Sequence, residues 1–178
     1  LIASRLSVLE RQGRTEEYLS LAKAAGESQA YAEMLAQTGK PQQAVNAAIE
    51  SVSSQRALLE LAQTLREQNH LEAALQVAEH GVTIDGIYRD TLAEWLRDRA
   101  ASIGEDDLAL RAASIAFKES PSKSTFRAVE ELTDDWESTR SELLATLRGQ
   151  NPSSSHAAEV FLQEELYDDA IDVAEQSG

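Results

Sequence analysis

Cysteine is absent from this chain. Its absence excludes a disulfide framework, a thiolate metal site and a cysteine nucleophile, and it suits a cytoplasmic setting. Basic residues are scarce as well: 16 Lys and Arg stand against 31 Asp and Glu, for a formal charge of −15. Such a surface repels phosphate backbones, so direct nucleic-acid contact is not expected. The deficit is uneven, because residues 1–127 hold 18 acids and 14 bases while residues 128–178 hold 13 acids and 2 bases. A basic partner is steered to the second stretch. No apolar run approaches the roughly 20 residues that span a bilayer, and no basic-then-apolar leader is present, so no membrane role is expected. The one methionine is Met34, and Leu1 already lies in an apolar periodic run. The chain therefore reads as a single helical-repeat domain, residues 1–178, that is a piece of a longer protein.

Proline occurs three times, and aromatic residues make up only 5% of the chain. What fills the sequence instead is alanine, 28 copies of it, with many Leu, Glu and Gln. That mixture favours helix nearly everywhere and strand almost nowhere.

Within it a pattern recurs: a glycine or its αL-tolerant substitute, a polar pair or triplet, then a small residue followed by an aliphatic one. The copies are Gly13-Arg14-Thr15-Glu16-Glu17-Tyr18-Leu19, Gly39-Lys40-Pro41-Gln42-Gln43-Ala44-Val45, Asn69-His70-Leu71-Glu72-Ala73-Ala74-Leu75 and Gly104-Glu105-Asp106-Asp107-Leu108-Ala109-Leu110. Gly or Asn accepts the left-handed backbone that ends one helix, and Asp, Glu or Pro suits the positive start of the next. Small residues three and four positions on, Ala47 and Ala48, Val77 and Ala78, Ala112 and Ala113, share one helical face and let helices approach closely. A weaker copy runs Glu165-Leu166-Tyr167-Asp168-Asp169-Ala170-Ile171, with Glu at the turn, and the poorest surrounds Asp135-Trp136. The predicted turns at 13, 39, 69, 104, 135 and 165 are spaced 26, 30, 35, 31 and 30, which excludes a strict repeat. The expected fold is an all-α, right-handed α-α superhelix of about six antiparallel helix hairpins.

The third copy, with Leu61-Ala62, Leu65, Asn69, Ala74, Ala78 and Gly81, resembles the tetratricopeptide repeat, and the fourth adds Pro121 where that family often ends its second helix. That resemblance implies that the first helix of each hairpin lines a partner-binding groove. Carried onto these positions, the groove-facing residues are Arg56, Glu60, Gln63 and Arg66, then Glu94, Trp95 and Asp98. The Lys and Asn set with which some members clamp a peptide carboxylate is not matched. A narrower resemblance, carried by Gln29–Leu35 with Gly39, by Ala73–Gly81 and by Leu92–Arg97, is to the helical region of prokaryotic SWIM-type zinc-finger proteins. The finger itself needs cysteines that this chain lacks. The resemblance thus implies an accessory helical domain of a nucleic-acid-binding protein, with zinc held only by a part not present here.

Other residues invite chemistry and are better explained without it. His70, His80 and His156 have no third ligand at useful spacing, so solvated histidines are expected and no metal. Ser153, Ser154 and Ser155 after Pro152 read as a helix start rather than a nucleophile site. The pairs Asp106-Asp107, Asp134-Asp135 and Asp168-Asp169 recur at turns, where a helix's first turn favours acid by roughly 0.3–1 kcal/mol each. Trp95, beside Leu92, Leu96 and Ala100, and Trp136 are expected to contribute buried area. No nucleophile, base or ligand set converges. The expectation is a non-catalytic scaffold without cofactor, whose partner is a protein or peptide.

Overall fold

The computed structural model describes residues 1–150 and 155–176. Among them it contains twelve helices: α1 (Ile2–Arg11), α2 (Thr15–Ala25), α3 (Ser28–Gln37), α4 (Pro41–Ser51), α5 (Gln55–Glu67), α6 (Leu71–Gly81), α7 (Arg89–Ala101), α8 (Asp106–Glu119), α9 (Lys123–Glu130), α10 (Trp136–Gly149), α11 (Ser155–Gln163) and α12 (Tyr167–Gln176). No strand occurs among the described residues. The fold is all-α, with consecutive helices paired as α1–α2, α3–α4, α5–α6, α7–α8, α9–α10 and α11–α12. The helix start expected at Ser153 and Ser154 lies outside the described residues; α11 is described from Ser155.

Five of the predicted turns share one backbone geometry. Gly13, Gly39, Asn69, Gly104 and Glu165 all have φ between 59° and 78°. At each, the next N–H reaches back to a carbonyl five residues earlier: Arg14 to Leu9 at 2.9 Å, Lys40 to Leu35 at 2.9 Å, His70 to Leu65 at 2.9 Å, Glu105 to Ala100 at 3.0 Å and Leu166 to Phe161 at 2.9 Å. This closure satisfies carbonyls that a helix end otherwise leaves open. The same residue then starts the next helix, as where the Lys40 carbonyl accepts from the Ala44 N–H at 3.0 Å. Two helices are thereby reversed on each other across a link of three residues, or of four between α7 and α8.

Position 135 departs from the expectation. Asp135 has φ −117° and caps α10, its carboxylate accepting from the Ser138 N–H at 3.2 Å. The turn before it is built from side chains, with the Thr133 and Thr139 hydroxyls 2.9 Å apart. One further turn went unpredicted: Gly26, at φ 72°, joins α2 to α3 with the same closure, the Glu27 N–H donating to the Ala22 carbonyl at 2.9 Å.

The alanines sit where the pattern places them. Ala44 and Ala48 on α4, Ala74 and Ala78 on α6, and Ala109 and Ala113 on α8 are all fully buried. Alanine at such contacts keeps helix axes toward the near end of the 8–10 Å packing range.

The chain divides into two compact units, Leu1–Gly86 and Ile87–Gly178. In the first, α3 lies against α5 and α4 against α6, so first helices form one layer and second helices another. Leu35, Val45, Leu58, Leu61, Leu65 and Val77 fill the space between. The buried Gln55 ties the start of α5 to the segment after α6, donating from Nε2 to the Ile84 carbonyl at 2.5 Å. Gly86 permits this, since a Cβ there would lie 2.5 Å from Gln55 Oε1.

In the second unit α9 packs on α11 and α8 on α10. Its core holds an aromatic cluster among aliphatic residues. Phe117 and Phe126 are 5.6 Å apart, Phe126 and Trp136 meet edge-on at 5.1 Å, and Phe161, Leu144 and Leu147 complete the cluster. Trp136 thus occupies the core side expected of it. Ser122 and Thr125 cap α9 reciprocally, each side chain bonding the other's N–H at 3.0–3.1 Å. Arg148 grips Asp169 with two hydrogen bonds, 2.9 and 2.7 Å, tying α10 to α12. That guanidinium holds the Asp169 carboxyl below the usual carboxylate range.

Candidate interaction surfaces

The residues singled out on α5 fall on its outward side because Ala57, Leu58, Leu61, Ala62 and Leu65 claim the inward one. Arg56, Gln63 and Arg66 are exposed and Glu60 is half-buried. Two of them are linked to each other and to α3. Arg56 Nε donates to Glu60 Oε1 at 3.0 Å, and Glu60 Oε2 accepts from Gln29 Nε2 on α3 at 3.3 Å. Gln29 also donates to Glu33 at 2.8 Å. A polar ladder therefore runs over the neighbouring first helices α3 and α5. Arg66, near the end of α5, forms no ion pair among the described residues and stands apart from this ladder.

The α7 residues belong to the second unit. Glu94 and Asp98 are exposed, and Trp95 is half-buried above Leu92, Leu96 and Ala100. Asp98 is held by Arg97 at 2.7 Å. It lines a cavity of about 750 Å³ between α7 and α9, whereas Glu94 and Trp95 are not among the lining residues. So the seven positions resolve into a row of four on α5 and a group on α7 of which one reaches a cavity.

That cavity contains residues the sequence reading passed over: Arg97, Lys123, Ser124 and Arg127. A signal was available, because Lys123 and Arg127 stand four apart in a helix opened by Ser122 and Thr125. The tetratricopeptide resemblance is carried by the third and fourth copies, and α9 starts the fifth.

The residues weighed for chemistry are dispersed. His70 precedes α6 and His80 lies in its last turn, both half-buried, while His156 is exposed on α11. Asp106 and Asp107 occupy the first turn of α8, and Asp168 and Asp169 that of α12. Among the described residues no three His, Asp or Glu side chains gather as a metal would require. No helix among them is long and apolar enough to cross a membrane.

No family model matches the chain, and no curated protein matches it. Solved structures do resemble it. One is titled "Crystal structure of MamA protein", at 15% identity over 93% of this chain and 93% of that one, with a TM-score of 0.44. The tetratricopeptide-like character rests on the hairpins themselves: paired helices, left-handed closures and buried alanines. The narrower SWIM-type resemblance gains nothing from these comparisons. Most of the residues that carried it, among them Ala32, Leu35, Ala74, Ala78, Leu92 and Leu96, are buried hairpin core, which any stack of this kind needs.

Proposed function

We propose that this chain is a non-catalytic protein-interaction scaffold, a segment of a larger cytoplasmic protein that offers the outward faces of its first helices to a peptide or helix. The observation that supports this reading is the polar ladder Gln29–Glu60–Arg56 across α3 and α5. Side chains already fixed by one another lose less freedom when a partner docks than free ones do. Tetratricopeptide-like hairpins present such rows on a rigid packed layer. No zinc or other cofactor enters the reading.

The test is capture on the immobilised chain followed by titration of the identified protein. A discrete partner is expected, with affinity about tenfold lower for Arg56→Glu/Arg66→Glu, a loss of about 1.4 kcal/mol. Circular dichroism controls for folding. No capture above a blank surface, or equal affinity for the variant, refutes the assignment.

A further inference from the structure

The second unit carries 20 acids and 9 bases, a net −11, yet three of those nine bases gather at the cavity between α7 and α9. Arg97, Lys123 and Arg127 line it against Asp98 and Glu131. The three cations are unequally neutralised. Arg97 is held by Asp98 at 2.7 Å and is only 19% exposed. Lys123 stands 3.9 Å from Glu159, at the edge of an ion pair. Arg127 is exposed and forms no ion pair among the described residues. Two incompletely compensated cations thus border the opening.

Their spacing is informative. Lys123 and Arg127 are one turn apart on α9 and both exposed, while Phe126 and Val129 are buried, so their stems are about 6 Å apart along the axis. In an extended chain, side chains two residues apart point the same way and lie roughly 6.5–7 Å apart. A strand running along α9 with carboxylates at alternate positions would meet one cation with each. We infer that the α7–α9 trough takes an extended acidic peptide segment of the form Glu-x-Glu, bound by Lys123 and Arg127. A nucleic-acid strand is disfavoured, because a longer polyanion meets the acidic surface beyond the trough. The inference deepens the scaffold reading and rests on it for the kind of partner, but it uses a different unit from α5.

The test is fluorescence anisotropy of the whole chain at low salt with a fluorescein-labelled peptide, Gly-Ser-Glu-Leu-Glu-Leu-Gly-Ser, and its twin with Gln for Glu. The acidic peptide is expected to bind at least about tenfold tighter than the twin, and to lose at least about tenfold with Lys123→Glu/Arg127→Glu. Lys123→Gln/Arg127→Gln gives the same reading should the reversal unfold the protein. Arg56→Glu/Arg66→Glu should leave this binding unchanged, which separates failure here from failure of the α5 assignment. Absence of binding, equal binding of the twin, indifference to both double variants, or tighter binding of an oligothymidylate of equal charge overturns the inference.

Discussion

Glutamate at position 165 does a glycine's work. Its φ of 59° matches that of the glycines at the other turns, although a side chain in this region costs about 1–2 kcal/mol. The closure at Leu166 and the half-buried or buried residues on either side hold it there. Glu165→Gly is therefore expected to raise stability by about 0.5–1 kcal/mol, net of glycine's greater unfolded-state freedom. Gly104→Ala should lower it by about 1 kcal/mol, a purely conformational cost, since a Cβ there meets nothing within 4 Å. Urea midpoints for the two variants should move in opposite directions; a shared direction would contradict the account. These turns also mark how far the sequence could be read. Gly and Asn announce their backbone angles, and Glu165 is recognisable only through the Ala170-Ile171 pair five and six residues on. At Asp135 the same extrapolation failed, because a carboxylate cap and two threonine hydroxyls reverse the chain without any left-handed residue.

At the level of helices, the small-residue face was the legible part. Ala78 is fully buried whereas Ala174, at the matching place on α12, is exposed. Ala78→Leu should cost about 1–3 kcal/mol by forcing α6 away from its neighbours, and Ala174→Leu should stay within about 0.5 kcal/mol. Chemical denaturation of both variants checks the contrast; equal effects would mean the pattern does not mark contact. Less could be read where a feature needs two helices. The Lys123–Arg127 stripe is visible in sequence, but the wall facing it, Arg97, Asp98 and Ala101 on α7, lies more than twenty residues earlier. Which stripe faces which is decided by how hairpins stack, and spacing along one helix carries no record of that.

For the molecule as a whole, charge is the dominant unspent term. The first unit has 11 acids and 7 bases, −4, and the second −11, together the chain's −15. Most ion pairs are exposed or partly exposed, such as Arg14–Glu17 and Arg148–Asp169, and pairs of this kind contribute about 0–1 kcal/mol each. Self-repulsion should outweigh them. Thermal unfolding is expected to shift up by about 2–4 °C between low salt and about 0.3 M sodium chloride. A downward shift would show that the ion pairs prevail.

The closure at Gly26 gives the first four helices an arithmetic of their own. Gly13, Gly26 and Gly39 stand thirteen residues apart and share one backbone geometry, so the turn within a hairpin and the turn between hairpins are interchangeable parts. Loss or gain of thirteen residues would leave every turn intact, yet it would exchange the roles of all helices beyond it, sending faces shaped for one layer into the other. Loss or gain of twenty-six would not. Only even numbers of such steps keep each helix in its own layer, so parity rather than turn chemistry decides whether the stack still packs.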